Sequence, residues 1–294
     1  MTWRRALLIE PADAADDRSD FAETFAAVDA SAPALSVGEL STQRGDGIFE
    51  SIGVIDAHAQ EVEAHLDRLD HSAMLCDLPA PHRRQWRQAI DVMAASCPPG
   101  ECVIKLILSR GVEHGPAPTA WVTAAQAPDY RAVRASGVRV ATLDRGYDIA
   151  ASARAPWLLL GAKTLSYAPN MAAIREARRR GSDDAVYVSS DGMLLEAPTA
   201  SVVLRRGDGF LTPEPGIGIL HGTTQLSLFA WLERHGHRTG YETLPASALA
   251  AADAAWLLSS IRLAVPIVAV DGTPIPRDDA LTASFNSYLL TPRT

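Results

Sequence analysis

The chain has 294 residues, of which 47% are hydrophobic and 21% charged, and its formal net charge at pH 7 is −8. This length is enough for two domains of ordinary size, and the composition is typical of a soluble globular protein. Because the chain is acidic and has no basic block, we expect no nucleic acid among its partners. The charge is still compatible with an anionic small molecule, since one arginine and a helix N-terminus can hold a phosphate on an acidic protein.

The N-terminus and the cysteines indicate the compartment. Met1-Thr2-Trp3-Arg4-Arg5 is followed by only a very short apolar patch and lacks the core of a signal peptide. No apolar stretch is long enough to span a bilayer, so we expect a cytoplasmic protein with no membrane partner. Cys76, Cys97 and Cys102 are odd in number and show no C-x-x-C spacing. We expect them to be buried small apolar residues, with no disulfide framework and no metal site.

Apolar spacing predicts strands and helices in the N-terminal half. In order, these are a strand at 6–9, a surface helix or loop over 13–31, a strand at 48–54, helices at 61–75 and 81–95, a strand at 102–108 and a strand around 121–123. Gly45-Asp46-Gly47 enters the strand at 48–54. Two glycines around an aspartate form either an ordinary turn or a loop that approaches a ligand or another chain.

The helix predicted over 61–75 buries one apolar stripe, formed by Val62, Leu66, Leu69 and Ala73. This leaves His65, Arg68 and Ser72 together on a neighbouring face. An arginine on the flank of a core-packed helix is held by the scaffold, so Arg68 can offer a planar guanidinium to a phosphate. The alternative is a solvated helix arginine.

After a crossing around 125–130, new strands begin at 137–141. The elements predicted beyond them are an apolar strand at 157–160, a helix at 171–180, a hairpin of 185–190 and 193–196, a strand at 210–213, a helix from about 223 to 236, strands at 255–258 and 267–270 and a final helix. We therefore predict an N-terminal α/β domain over 1–125, a linker over 126–136 and a C-terminal domain over 137–294.

Lysine is rare in this chain, which contains only Lys105 and Lys163. Arginine provides nearly every positive charge, so solubility does not explain a lysine two residues after Gly161. A desolvated lysine loses its proton readily and becomes an amine nucleophile, which arginine cannot do. Lys163 is therefore a candidate for a Schiff base. The alternative is a lysine that ends a strand and points into water.

Three further features are candidates for ligand binding. Glu196 closes one apolar strand and precedes another, where it faces either a buried cation, a protonated ring nitrogen or the edge of a sheet. Gly222, Thr223 and Thr224 begin a helix, whose free N–H groups and hydroxyls suit a phosphate, although threonine is also a common N-cap. Ser260 lies between two late strands, in a connection where serine is also ordinary turn chemistry.

Together, these residues are the parts that a pyridoxal 5′-phosphate (PLP) site needs. A lysine amine holds the aldehyde of PLP, a carboxylate keeps its ring nitrogen protonated, and an arginine and a helix N-terminus neutralise its phosphate. The five sequence motifs that carry them are Gly45-Asp46-Gly47-Ile48-Phe49-Glu50, His65-Leu66-Asp67-Arg68-Leu69, Lys163-Thr164-Leu165-Ser166-Tyr167, Leu195-Glu196-Ala197-Pro198-Thr199-Ala200-Ser201 and Gly218-Ile219-Leu220-His221-Gly222-Thr223-Thr224.

From about Gly45 to about Pro266, the chain resembles the fold-type IV PLP enzymes, which comprise aminodeoxychorismate lyases, branched-chain aminotransferases and D-amino-acid aminotransferases. The resemblance implies two α/β domains, the C-terminal one binding the cofactor at the interface, in a homodimer. It also implies a role for each candidate residue. Lys163 would be the catalytic lysine, Glu196 the partner of the pyridine nitrogen, Arg68 a phosphate ligand, and Gly222, Thr223 and Thr224 the phosphate cup, with Ser260 as an addition.

Two positions depart from the family pattern. Ser166 lies where the family very often has asparagine, which puts one supporting hydrogen bond in doubt. After Ser109-Arg110-Gly111, the usual glycine-rich continuation is replaced by Val112-Glu113-His114-Gly115. Substrate contacts of that loop are therefore not transferred to this chain.

The resemblance is strongest to the aminodeoxychorismate lyases, which implies conversion of 4-amino-4-deoxychorismate to 4-aminobenzoate and pyruvate, a step of folate biosynthesis. The alternative is a branched-chain or D-amino-acid aminotransferase, which shares every cofactor residue. A third alternative is a binding protein that keeps the fold without turnover. Lys163 and Glu196 speak against it, since packing needs neither.

Overall fold

The computed structural model describes Trp3–Arg293, and the chain divides into two compact units. The first unit contains the residues up to Pro128, the segment Ala162–Tyr167 and the residues from Pro292 onwards. The second contains Asp129–Gly161 and Ala168–Thr291. Residues 162–167, and with them Lys163, belong to the first unit. The domains predicted over 1–125 and 137–294, with a linker over 126–136, stay a prediction.

The first unit is an antiparallel sheet with two long helices. Its elements are β1 (Arg4–Ile9), β2 (Phe25–Val28), α1 (Leu40–Gln43), β3 (Gly47–Ile55), β4 (His58–Ala59), α2 (Val62–Leu75), α3 (Arg83–Ala95), β5 (Glu101–Ser109) and β6 (Thr119–Gln126). The six strands lie in the order β2-β1-β6-β5-β3-β4. All of their pairings are antiparallel.

Strands β3 and β5 form the centre of this sheet. They pair over nine residues, from Gly47 opposite Ser109 to Ile55 opposite Glu101. Helix α2 packs against β3, as the predicted apolar stripe requires, and Leu66 and Leu69 are fully buried. One charged residue of β3, Glu50, is also fully buried. A buried carboxylate needs charged or hydrogen-bonding partners, which α2 provides.

The second unit is built on a mixed sheet. Its elements are α4 (Arg131–Ser136), β7 (Val138–Asp144), α5 (Ala151–Arg154), α6 (Ala168–Arg179), β8 (Asp184–Val188), β9 (Ser201–Arg206), β10 (Gly209–Pro213), α7 (Thr223–Arg234), β11 (Arg238–Glu242), α8 (Ser247–Ala250), β12 (Ala254–Ser259), β13 (Leu263–Val270), β14 (Thr273–Pro274) and α9 (Asp279–Leu289). The strand order is β11-β10-β9-β12-β13-β7-β8, and β14 pairs with β13.

The second sheet carries apolar cores on its strands. Pairs β10–β11, β13–β7 and β7–β8 are parallel, and the others are antiparallel. One core contains Trp256 and Phe285, and this core packs helices α7 and α9 against strands β12 and β13. Another contains Val202, Leu257 and Ile267, which are nearly inaccessible to solvent. Strands β9, β12 and β13 therefore give the turns at their ends a rigid support.

Most predicted elements are confirmed, but three segments differ. The hairpin arm predicted over 193–196 is not a strand, since Leu194 forms only an isolated bridge with Val188 of β8. The segment over 13–31 contains strand β2 besides a short 3₁₀ helix, because residues 25–28 pair with β1. The predicted strand at 157–160 is wrong: Pro156–Leu158 is a 3₁₀ helix, and Leu159 has a left-handed φ of 52°. Trp157 is 76% exposed, so this apolar run is not part of the core. Apolar composition alone does not decide a strand when a proline begins the segment.

Cys76, Cys97 and Cys102 are free and buried, as predicted. Within Trp3–Arg293, no helix is both long and apolar enough to cross a membrane. Among those same residues, no group of three or more histidine, cysteine or acidic side chains is placed to hold a metal ion.

Candidate active site

Lys163 lies in a short segment that runs antiparallel to the start of β3. Its backbone carbonyl accepts a hydrogen bond from the N–H of Phe49 at 3.0 Å, and Leu165 N–H donates to Gly47 at 2.8 Å. The N–H of Lys163 donates to Ser72 Oγ of helix α2 at 3.1 Å. Backbone contacts on two sides therefore fix this lysine. Its Nζ lies 4.6 Å from the centre of the Phe49 ring, so the side chain is held against the protein.

The two glycines before β3 make room for this segment. A Cβ on Gly47 would lie 2.7 Å from the Leu108 carbonyl oxygen and 2.8 Å from the Leu165 side chain. Gly45 has a φ of +67°, and its Cβ would lie 2.9 Å from Ser166 Oγ. Ser166 Oγ donates to the Gly45 carbonyl at 3.2 Å. The Gly-Asp-Gly motif thus permits the approach of another part of the chain, the one that carries Lys163.

A buried ion-pair cluster lies on the face of α2 where the sequence predicted polar side chains. Arg68 Nε donates to Glu50 Oε1 and Arg68 Nη2 to Glu50 Oε2, both at 2.6 Å. His65 Nδ1 lies 2.7 Å from Glu50 Oε2. The side chains of Glu50 and His65 are 0% and 1% exposed, and that of Arg68 is 11% exposed. Arg68 is therefore held by a two-pronged, charge-assisted interaction, which fixes the plane of its guanidinium.

The titration of this cluster follows from its burial. Burial by itself raises the pKa of Glu50, but the Arg68 charge, the Arg68 hydrogen bonds and the His65 contact outweigh it and hold that pKa well below its usual range. Burial lowers the pKa of His65, and the positive charges of Arg68 and Lys163 lower it further. The hydrogen bond and the charge of Glu50 act in the other direction, but the pKa stays below its usual value. At neutral pH, the cluster is an ionised carboxylate, a guanidinium and a neutral imidazole.

In the second unit, Glu196 lies beside the turn that leads into α7. Its Oε2 accepts a hydrogen bond from Leu220 N–H at 3.2 Å, and its backbone carbonyl accepts from Tyr187 N–H at 2.8 Å. Burial raises the pKa of the nearby Tyr147. The charge of Arg145 and its hydrogen bond lower this pKa, and the negative charge of Glu196 raises it. The hydrogen bond from Leu220 therefore ties the Glu196 carboxylate to the backbone of the turn before α7.

The N-terminus of α7 has the features of an anion site. Gly222 is the N-cap and no side chain caps it. A Cβ on Gly222 would lie only 2.2 Å from Ser201 Oγ, so a larger residue here would force the Ser201 hydroxyl to move. Ser260 Oγ lies 3.3 Å from both Thr223 Oγ1 and Thr224 Oγ1, which brings three hydroxyls together. Hydroxyls and the first N–H groups of a helix are the donors that phosphate takes in proteins.

The structure thus groups the predicted residues in two sets: Arg68 and Lys163 in the first unit, and Glu196, Gly222, Thr223, Thr224 and Ser260 in the second. Sequence reasoning gave no role to Glu50, although a charged residue inside the apolar run Ile48–Val54 was a signal for a buried partner. It also missed Ser201, whose contact with Gly222 joins residues 21 positions apart and leaves no local pattern.

A lysine held by backbone contacts, a backbone-held carboxylate and a hydroxyl-lined helix N-terminus are the groups expected of a PLP-dependent enzyme of fold type IV. The chain belongs to the amino-transferase class IV family, which matches residues 47–270.

The proteins to which this chain is similar include lyases and aminotransferases. The chain is 42% identical over 256 residues to a bifunctional aminodeoxychorismate lyase / D-amino acid transaminase of Mycobacterium tuberculosis, covering 83% of this chain and 89% of the relative. The structure of a fold IV-transaminase, CpuTA1, from Curtobacterium pusillum matches with a TM-score of 0.94 and 44% identity, over 99% of this chain and 100% of that one. A hypothetical aminotransferase from Mycobacterium tuberculosis, in its PLP-bound form, matches with a TM-score of 0.87 and 37% identity, over 97% of each chain.

The residues of this chain fit PLP as its cofactor. Gly222 leaves the start of α7 without a side chain beside Ser201, and the donors gathered there are uncharged hydroxyls and N–H groups. Glu196 supplies an anionic acceptor. Lys163 is one of only two lysines in the chain. The other, Lys105, is exposed on β5.

Proposed function

We propose that this PLP-dependent enzyme is an aminodeoxychorismate lyase, which converts 4-amino-4-deoxychorismate to 4-aminobenzoate and pyruvate. The observation that carries the proposal is the 42% identity, over most of both chains, with a relative described as a lyase and a D-amino acid transaminase. The same likeness supports a second candidate, transfer of the amino group of a D-amino acid. The two activities use one set of cofactor residues, so one chain can have both.

We propose that PLP is bound by the seven residues identified from the sequence: Arg68, Lys163, Glu196, Gly222, Thr223, Thr224 and Ser260. Arg68 offers charge, and its orientation is fixed by Glu50. The α7 N-terminus and the three hydroxyls supply uncharged donors to phosphate. Glu196 keeps the ring nitrogen protonated, since a carboxylate favours a cation beside it.

Bound PLP supplies an aldehyde for the lysine amine and a ring that accepts electrons released at a neighbouring carbon. Lys163 would hold the cofactor through its Nζ. As a free amine, Nζ would remove the proton from C4 of aminodeoxychorismate, the carbon that bears the amine, and would then give a proton to the methylene carbon of the enolpyruvyl group. That group would leave C3 with the electrons of the C–O bond and become pyruvate, while the ring becomes aromatic. Lys163 is therefore first a base and then an acid.

The covalent link is tested by borohydride reduction of the enzyme after incubation with PLP. We expect loss of the visible absorption band and a pyridoxyl mass on the peptide that contains Lys163. The chain provides its own control, because Lys105→Arg leaves only Lys163, whereas Lys163→Arg leaves only Lys105. Modification that persists in Lys163→Arg, or a wild-type protein that stays unmodified, contradicts the assignment.

The reaction is tested with aminodeoxychorismate in the absence of any keto acid. A lyase forms 4-aminobenzoate and pyruvate in equal amounts, whereas a transaminase forms nothing without an acceptor. The second assay supplies D-alanine and α-ketoglutarate and measures glutamate. If only the second assay gives product, the lyase proposal is wrong and the transaminase proposal stands. Light scattering after gel filtration tests the homodimer that we also propose.

A further inference from the structure

The connection that carries Ser260 is strained. Strands β12 and β13 pair from Ser259 opposite Leu263, so only three residues join them. Leu263 has a φ of +62°, in the left-handed region that favours glycine, although its side chain is buried in the core. A three-residue hairpin loop commonly needs such a residue after its turn. A residue with a side chain persists there only when its surroundings hold the loop in place.

Two arginines of the second unit hold this loop. Arg134, which is 6% exposed, donates its Nε to the carbonyl of Arg262 at 3.0 Å and its Nη2 to the carbonyl of Ile261 at 3.1 Å. The Arg262 backbone N–H donates to Ser259 Oγ at 3.3 Å. The side chain of Arg262 makes contacts of its own.

The guanidinium of Arg262 joins the loop to two other segments. Its Nη1 donates to Asp184 Oδ2 at 2.7 Å, in an ion pair whose side chains are 17% and 4% exposed. Its Nη2 donates to Thr199 Oγ1 at 3.0 Å. Thr199 lies in the turn closed by Ala197 N–H and the Ala200 carbonyl, between Glu196 and Ser201. One side chain therefore sets the Ser260 loop relative to the turn that follows Glu196.

We infer that Arg262 is a positioning residue for the phosphate end of the cofactor site. It acts through Ser260, by keeping that hydroxyl within reach of Thr223 and Thr224. A planar guanidinium with two fixed bonds can do this, whereas a lysine at the same position can reach Asp184 or Thr199 but cannot hold the same geometry. The inference rests on the proposed function, since it assumes that the three hydroxyls bind the phosphate of PLP.

The test compares the affinity of the apoenzyme for PLP with its affinity for pyridoxal, which lacks the phosphate. Arg262→Met should weaken PLP binding about tenfold, the loss of one well-placed hydrogen bond, and change pyridoxal binding by less than about twofold. Thr199→Val removes only the hydroxyl contact and should weaken PLP binding about threefold. The matched control is Arg205→Met, which removes another partly buried arginine–aspartate pair of the same unit, the one with Asp278.

A double-mutant cycle separates action through Ser260 from a direct contact. If Arg262 acts through Ser260, Arg262→Met adds little to the loss caused by Ser260→Ala, because both remove the same interaction. Additive losses contradict the inference, and so do equal losses for PLP and pyridoxal. If Arg262→Met does not fold, the test uses Arg262→Lys and Thr199→Val instead. Both variants keep a positively charged side chain beside Asp184, so the buried aspartate keeps its partner. They should weaken PLP binding but not pyridoxal binding, and an unchanged PLP affinity in both overturns the inference.

The wild type distinguishes this inference from the proposed function. A wild type that binds no PLP, and is not modified on Lys163 by borohydride, refutes both. A wild type that binds PLP, with variants of unchanged affinity, refutes only the role of Arg262.

Discussion

Replacing Glu50 by glutamine tests whether the buried cluster is an ion pair that stabilises the first unit. The carboxylate has 0% exposure and accepts two hydrogen bonds of 2.6 Å from Arg68 and a contact of 2.7 Å from His65. Glutamine keeps the shape but has one acceptor oxygen and no charge, so Arg68 keeps its charge without an anion. Breaking a buried pair in this way costs about 3 kcal/mol, because the remaining ion has little water to solvate it.

An exposed pair between α2 and α3 is the control. Glu63 lies 2.6 Å from Arg83, the same distance as in the buried pair, but the side chains of Glu63 and Arg83 are 55% and 40% exposed. Glu63→Gln should therefore cost less than about 1 kcal/mol. Glu63 also accepts from Arg87 Nη1 at 2.6 Å. Each variant therefore loses two or more charge-assisted contacts of similar length, and the two differ in burial.

The assay is urea unfolding of the apoenzyme at pH 7, followed by circular dichroism and tryptophan fluorescence, whose coincidence checks that one transition is observed. We expect the free energy of unfolding to fall by about 3 kcal/mol in Glu50→Gln. Adding Arg68→Met to Glu50→Gln should recover part of this loss, since it removes the uncompensated cation. Equal, small losses in Glu50→Gln and Glu63→Gln would refute the reasoning.

Two further predictions concern pH and close packing. Because the folded pKa of His65 is lowered, the unfolded chain binds the extra proton first as the pH falls through about 6.5. His65 should therefore lower the free energy of unfolding by up to about 1.4 kcal/mol per pH unit below that point. In His65→Gln, the free energy of unfolding should fall less steeply between pH 7 and 5. Equal slopes in the two proteins would contradict the assignment. Gly222→Ala should weaken PLP binding because its Cβ would lie 2.2 Å from Ser201 Oγ and force that hydroxyl to move, and Ser201→Ala in the same chain should restore binding, since no atom would then lie closer than the Ser201 Cβ at 3.3 Å. Failure of that rescue, measured by PLP titration, would show that the clash is not the cause.

The features that the sequence predicted well are those with a local period or a local motif. The apolar stripe of α2 predicted which face is buried, and Leu66 and Leu69 are nearly inaccessible. The turn predicted at Asp191-Gly192 is present, since Ser189 N–H donates to Met193 and Tyr187 exchanges hydrogen bonds with Leu195 and Glu196, although 193–196 is not a regular strand. In both cases, the residues that decide the structure lie within a few positions of one another, so the pattern is visible in the sequence.

The partners of charged side chains could not be predicted from local patterns, and Arg110 is an example. In the sequence, it lies at the start of a loop from which substrate contacts were not transferred. In the structure, its Nη2 and Nη1 donate to the carbonyls of Cys76 and Asp77 at 2.6 and 3.0 Å, at the end of α2, and its Nε donates to Asp46 at 2.8 Å. The last carbonyls of a helix lack partners within it and favour a cation. Arg110 is thus committed to the scaffold by groups 33 and more positions away, whereas Arg68 is oriented by Glu50. The role of an arginine is set by the acceptors that the fold brings to it, which no local sequence pattern records.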